Sequence, residues 1–267
     1  MTVRDDRAAV VAEGSQAMLD GDRASDPGGT VSTASAARYL REPDGAGSPG
    51  PDEPHRIVIV GAGGFGREVL QYAYDAMRLQ PGYTVKGFLD DAPPDLEALG
   101  LDLPVLGGTH HYDFEPGDRA LIAVGEPSLR LAMAARLEAC GARFVTLVHP
   151  LAYVSEAATL GVGCIVAPFA SVGAHAHLGD HSVLTFYASV GHDALIGRGC
   201  GFSPHAVANG GAVLGDGVFL GAFAVVNPTR TVGSGSKVAA GAVVYHPVPS
   251  DVLAVGNPAR PRPLWKR

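Results

Sequence analysis

Residues Val154–Ile196 read VSEAATLGVGCIVAPFASVGAHAHLGDHSVLTFYASVGHDALI, and their phase decides the fold. Stepping by six from Val154 meets Leu160, Val166, Val172, Leu178, Leu184, Val190 and Ile196. The same phase continues through Phe202, Ala208, Leu214, Leu220, Val226, Val232, Val238 and Val244. All sixteen positions are apolar, and the residue four further on is nearly always Ala, Ser or Cys, with Val218, Arg230 and Val248 as exceptions. Helices and strands repeat their side chains every 3.6 and 2.0 residues, so neither alone holds this phase. A period of six is a short strand plus a corner. Three such sides close a triangular coil, and stacked coils place equivalent residues one above another at about 4.8 Å. The branched residue fills the interior and the small one fits where the wall turns, which is a parallel β-helix. A sandwich of short strands would have to keep one phase over all sixteen positions by chance.

Upstream the character changes. Ile57-Val58-Ile59-Val60 is an apolar run of the buried parallel-strand kind, followed at once by Gly61-Ala62-Gly63-Gly64-Phe65-Gly66 and a helical pattern over 67–79. Between a strand and a helix this glycine pattern has a mechanical meaning: a tight turn, close backbone approach, and free N–H groups offered to an anion. A second strand over 85–89 ends at Asp90-Asp91, where an acidic residue reads a ribose hydroxyl or a base edge. Further strands are expected near Val105, over 121–124 and over 144–147. A helix over 126–140 would bring Arg130 within reach of a phosphate, or leave it as a solvated helix residue. The unit ends near Pro150 and is half of a doubly wound domain. That disfavours hydride chemistry with NAD and favours a mononucleotide or nucleotide-sugar pocket over a purely structural glycine turn.

The chain is therefore divided into an extension (1–54), a Rossmann-like domain (55–150), a β-helix (151–249) and a C-terminal segment (250–267). The first 54 residues are rich in Ala, Gly, Asp, Ser and Pro and read as a mobile extension, with short helices weighed over 7–19 and 35–40. In 267 residues, a net charge of −7 argues against a nucleic-acid surface, and no apolar run is long enough to span a membrane. The N-terminus lacks the layout of a secretory signal, so a cytoplasmic location is expected. Three cysteines do not make a disulfide framework. Cys164 and Cys200 are two coils apart, about 9.6 Å, beyond the ~7 Å limit for a bridge, and read as small buried residues.

Five histidines lie along the solenoid: His175, His177, His181, His192 and His205. His192 lies between Gly191 and Asp193, a base beside a carboxylate at one corner. A neutral imidazole there can take a proton from an attacking amine or hydroxyl, with the carboxylate fixing its tautomer and stabilising the imidazolium. The rival reading is a surface corner histidine.

Residues 56–260 resemble bacterial sugar acetyltransferases that join a small nucleotide-sugar-binding domain to a left-handed β-helix. The group includes sialic acid O-acetyltransferases and N-acetyltransferases of amino-sugar nucleotides. The matching motifs are the glycine loop from Ile59 to Gly66, Phe88-Leu89-Asp90-Asp91, Val148-His149-Pro150, Ala188-Ser189-Val190-Gly191-His192-Asp193, and Val255-Gly256-Asn257-Pro258-Ala259-Arg260. The resemblance implies a left-handed helix, with His192 as general base supported by Asp193. It implies that the Gly210 N–H stabilises the thioester oxyanion. It places acetyl-CoA between subunits of a homotrimer, reaching Val255, Gly256, Asn257 and Pro258, and the acceptor's nucleotide on Gly61, Gly63, Gly64, Phe65, Gly66, Asp90 and Asp91. No metal is expected.

Two departures bear on the acceptor. Where family members carry a second histidine, nine residues after the first, this chain has Gly201; and where they often read Asn-Thr-Gly it has Thr185-Phe186-Tyr187, two aromatics expected near the acceptor. Arg230 is expected to distort its corner or to contact a CoA phosphate. Three other readings were weighed: acylation of a non-nucleotide acceptor, a non-catalytic sugar-nucleotide-binding trimer, and a zinc hydratase of the γ-type carbonic anhydrase kind. The last needs His175, His181 and His192 to converge.

Overall fold

The computed structural model describes residues 39–43 and 54–264. The segment 7–19 lies outside them, as does most of 35–40. Among the described residues, six strands and two helices precede the solenoid: β1 (Leu40–Arg41), β2 (His55–Val60), α1 (Gly64–Leu79), β3 (Tyr83–Leu89), β4 (Val105–Gly107), β5 (Asp118–Ile122), α2 (Pro127–Ala139) and β6 (Thr146–Val148). β2 to β5 form a parallel sheet in the order β4-β3-β2-β5, the expected half of a doubly wound domain.

The solenoid follows as a left-handed β-helix of two-residue strands. Its first wall stacks Ile165–Val166, Val183–Leu184, Gly201–Phe202, Phe219–Leu220 and Lys237–Val238, and β6 starts it. The second wall runs from Tyr153–Val154 to Val243–Val244, the third from Thr159–Leu160 to Thr231–Val232. Every register pairs residues eighteen apart, as in Val172↔Val190 and Leu178↔Ile196. From Val166 onward the apolar column is buried, and Val154 and Leu160 pack on the open end.

The small-residue column is also a hydrogen-bond column. Ser182 Oγ donates to Gly197 O at 2.9 Å, while the Cys164 and Cys200 thiols donate to Gly179 O and Gly215 O, each at 3.2 Å. Both cysteines are unbridged, and burial pushes each thiol up to about 12, so they remain protonated donors. Arg230 leaves its corner regular: its N–H bonds Asn227 O at 3.1 Å, as Ala212 N–H bonds Asn209 O one coil earlier at 3.0 Å. Its guanidinium turns outward onto Pro228 O and Thr229.

The α/β unit lies on the first wall. Ile165 and Val183, which point outward, are buried there in one cluster with Val69, Leu70 and Tyr72 of α1. His149 joins the two parts: its Nδ1 accepts from Leu151 N–H at 3.0 Å, and its Nε2 is 3.2 Å from Asp75 of α1. α2 covers the corner between the third and first walls, where a Cβ at Gly199 would lie 2.4 Å from Leu131.

Arg130 corrects the sequence reading. It is wholly buried and reaches no open space for a phosphate. Its guanidinium donates to the carbonyls of Val124 and Gly125 on one side and of His181, Gly199 and Cys200 on the other. The arginine is a bolt through the domain junction, and burial lowers its pKa to about 10. A second correction concerns the N-terminal part. Leu40–Arg41 is a strand, antiparallel to β6, and Gln80 bonds the backbone of Tyr39 and Leu40. Glu42 bonds Arg119 at 2.7 Å, Tyr83 at 3.0 Å and His55. The folded unit thus begins before the expected boundary at residue 55. Composition hides this, because the anchoring residues are polar. Among the described residues no helix is long and apolar enough to cross a membrane.

Candidate active site

His192 stands at the corner between the second and third walls, between strands Ser189–Val190 and Leu195–Ile196. The corner is tied to coils on both sides: Asp193 N–H donates to Ala174 O at 2.9 Å, and Gly211 N–H to His192 O at 2.8 Å. Asp193 takes a left-handed conformation, φ 57°, where short polar side chains are tolerated. Its Oδ2 is 2.7 Å from His192 Nδ1. With Nδ1–H donating to the carboxylate, Nε2 is left with a free lone pair. Both side chains are open to solvent, 73% and 62% exposed. Among the described residues the dyad has a floor and no roof.

The floor is Gly210, one coil on. A Cβ there would lie 2.5 Å from His192 Nε2, so the imidazole rests where only glycine leaves space. Among the described residues nothing accepts from the Gly210 N–H, which leaves a donor beside the base.

The C-terminal turn closes the end of the second wall. Gly256 O accepts from Val243 N–H at 3.0 Å and Ala259 N–H donates to Val243 O at 2.8 Å, which fixes Val255, Gly256, Asn257 and Pro258 beside the last strand. The dyad and this turn therefore share one wall.

The glycine loop is elsewhere. Gly61 has φ 106°, and a Cβ on Gly66 would lie 1.9 Å from Gly61 O, so both glycines are forced by close packing. Gly63 and Gly64 differ: a Cβ on Gly63 would meet nothing within 4 Å, and one on Gly64 only the Arg67 guanidinium at 4.0 Å. α1 starts there without a side-chain cap and without an acidic residue in its first turn. Asp90 accepts from Ala62 N–H at 2.7 Å and Ala92 N–H at 2.8 Å, and so holds the loop. Asp91 accepts from Thr109 N–H and Oγ1, bonds that keep its carboxyl below the usual range. Phe65 is partly buried against the α1 cluster. The sequence reading passed over Arg67, whose NH1 lies 3.4 Å from Ala62 O. A cation directly after the last loop glycine was the available signal.

Because the α/β unit covers the first wall, and the corner opposite that wall carries His192, the loop and the dyad lie on opposite sides of one protomer's prism. The residues expected near the acceptor are likewise remote from the dyad. Thr185 Oγ1 donates to Phe202 O, Phe186 packs edge-on against Tyr72, and Tyr187 stacks between Phe169 and His205. A side chain at Gly201 would meet Phe219, Pro127 and Arg130, so that position faces α2 and not the imidazole. Nor do the histidines weighed for zinc converge: His181 is buried against Phe144 and Glu138 while His192 is at the surface. Among the described residues no three His, Cys, Asp or Glu side chains meet.

Two family models match the chain: the PglD N-terminal domain over residues 56–137 and the bacterial transferase hexapeptide (six repeats) over 211–246. The acetyltransferase domain of PglB from Neisseria gonorrhoeae, also solved with acetyl coenzyme A, is 30% identical with a TM-score of 0.70; the match covers 78% of this chain and 100% of that one. PerB from Caulobacter crescentus, solved with CoA and GDP-perosamine, is 30% identical with a TM-score of 0.68, covering 77% and 96%. WeeI from Acinetobacter baumannii is 25% identical with a TM-score of 0.67, covering 78% and 100%. No curated protein sequence matches significantly. With both parts matched in one order and the solved relatives spanned almost end to end, the chain belongs to the family of bacterial sugar acetyltransferases that join a PglD-type N-terminal domain to a hexapeptide-repeat β-helix.

Proposed function

We propose that this protein transfers the acetyl group of acetyl-CoA to the amino group of a nucleotide-linked sugar. The observation that carries the reading is the His192–Asp193 pair, with a free ring nitrogen poised over Gly210. The acceptor amine attacks the thioester carbonyl while His192 Nε2 removes its proton. Asp193 stabilises the imidazolium, and the Gly210 N–H donates to the oxyanion. Collapse of the tetrahedral intermediate expels the CoA thiolate, which takes the proton back from His192. Acyl transfer is direct, and no acyl-enzyme forms.

Support for the acceptor class comes from the open space at Gly63 and Gly64, the uncapped start of α1 and Arg67 nearby, which together suit a diphosphate. PerB, with its bound GDP-perosamine, makes an amino sugar the favoured acceptor. Since loop and dyad face away from each other in one chain, the working unit is a homotrimer in which neighbouring protomers complete the site. We place the reaction in the cytoplasm, with which three unbridged cysteines agree. The test is a panel of nucleotide amino sugars with acetyl-CoA, following thiol release. Turnover with one of them, lost in His192→Ala, supports the assignment; no turnover with any, or full activity in the variant, refutes it.

A further inference from the structure

The two corners that bound the second wall are built alike. At the first, one residue per coil is left-handed: Phe169, Tyr187, His205 and Phe223, with φ between 59° and 61°. Their rings form a ladder, 5.0, 4.8 and 4.6 Å apart and nearly parallel, so side chains on this backbone stand in register from coil to coil. At the second corner the same position is held by His175 (φ 58°), Asp193 (φ 57°), Gly211 (φ 66°) and Thr229 (φ 62°). The strands on either side keep the eighteen-residue register, Val172↔Val190 and Leu178↔Ile196, and Asp193 N–H bonds Ala174 O at 2.9 Å. His175 is therefore the rung before Asp193, at the strand spacing of about 4.8 Å. It is exposed and, among the described residues, makes no hydrogen bond. Glycine suits this conformation best, and the corner under α2 uses it at Gly163, Gly199, Gly217 and Gly235. An unbonded imidazole is held instead beside the carboxylate of the dyad. That carboxylate has room for it: Oδ2 is taken by His192 Nδ1, while Oδ1 accepts from none of the described residues.

We propose that His175 is a positioning residue for the acyl transfer: it shares Asp193 with His192 and, on taking a proton, draws the carboxylate away from the base. The inference rests on the acyltransferase reading, which makes this corner the reacting one. With His175 neutral, Asp193 serves His192 alone, fixes its tautomer and stabilises the imidazolium that forms as the acceptor loses its proton. An imidazolium at His175 sets a second positive charge beside the same carboxylate. Oδ1 turns towards it, the His192 Nδ1–H loses part of its partner's charge, and Nε2 becomes a weaker base. The two imidazoles then titrate as a pair through one carboxylate. The other ionisable groups around His175 are few. Glu156, on the previous coil, stands diagonally across, in the column of Ala174 and His192; His177, on the next strand, lies with its Nδ1 2.9 Å from Thr159 Oγ1; and the coil after Asp193 brings only Gly210 and Gly211 to this corner. Asp193 is the one carboxylate in the column of His175.

The test is His175→Asn, since asparagine tolerates the left-handed backbone and does not titrate in this range. Should that variant misfold, His175→Gly, the residue this conformation prefers, takes its place. The full chain with labelled histidines is titrated by NMR between about pH 5 and 8, where imidazoles change charge. The ring signals of His175 and His192 are identified by their loss in His175→Asn and His192→Ala. In wild type the His192 signal should move in two steps, one of them shared with His175; in His175→Asn it should move in one. With an acceptor found by screening, kcat/KM should fall less steeply towards acid in His175→Asn than in wild type, by up to about tenfold per pH unit where one proton fewer is taken up. A merely structural histidine would move neither readout. A His192 signal that moves in one step in wild type, or identically in the variant, overturns the inference, as does an unchanged acid limb. If His192 moves in two steps but no nucleotide amino sugar is acetylated, the shared carboxylate stands and the proposed reaction falls; acetylation with a one-step curve keeps the reaction and removes His175 from it.

Discussion

Replacing Gly210 by alanine tests the site more sharply than removing the histidine, because it leaves every polar group in place. The added Cβ would lie 2.5 Å from His192 Nε2 and 2.7 Å from Cε1. Ordinary contact begins near 3.4 Å, so the ring must retreat by about 1 Å, a displacement that costs on the order of 10²-fold in rate when a reacting group is involved. Gly210 is not among the glycines at positive φ, so alanine is accommodated by the backbone and the N–H is retained. The control is the next residue. Gly211 has φ 66° and room for a Cβ, 3.4 Å from Thr229, so Gly211→Ala should cost about 1 kcal/mol of stability and little turnover. Thiol release from acetyl-CoA with the acceptor found by screening, together with urea unfolding, separates the two. Wild-type turnover in Gly210→Ala would show that the imidazole's position over this glycine has no part in the chemistry.

Four further outcomes follow from the geometry. Asp193→Asn should lower turnover less than the 10²–10⁴-fold expected of His192→Ala, because the imidazole stays while its partner's charge is lost; equal losses would point to a misplaced ring. Arg130→Met leaves three buried carbonyls, of His181, Gly199 and Cys200, without this donor and should destabilise by about 3 kcal/mol in chemical denaturation, whereas a change under ~1 kcal/mol would discount the bolt. In native protein a thiol reagent should modify exposed Cys140 alone, with Cys164 and Cys200 reacting only after unfolding, since burial raises both to about 12. His181 is buried beside Phe144, with Nδ1 unpaired, and burial lowers its pKa from 6.5. The unfolded chain therefore takes the proton first: the stability His181 contributes is complete above pH 6.5 and is lost as pH falls below it through the folded value. His181→Phe should flatten that slope, and an unchanged profile would assign it to other groups.

The solenoid was legible because a six-residue phase is a property of local spacing: each coil repeats the same packing problem, so Val154 to Val244 announce one inward column, which the structure buries from Val166 onward. The glycine loop was legible for a similar reason, with strand, turn and helix contiguous in the chain. His192 and Asp193 are adjacent, and their pairing needed no tertiary information. What spacing does not carry is which wall each segment covers. Arg130 offers the same residue type whether it meets a phosphate or five carbonyls, and only the docking of α2 on the corner at Gly199 turned it inward. Glu42 lies in a polar stretch that composition assigns to an extension, yet its partners Arg119, Tyr83 and His55 are remote in sequence. The ladder was likewise spread over coils: Phe169, Tyr187, His205 and Phe223 are eighteen residues apart and become neighbours only when the helix stacks them. Periodicity alone determined that the chain coils; contacts between distant segments decided which faces it keeps for itself and which it leaves open.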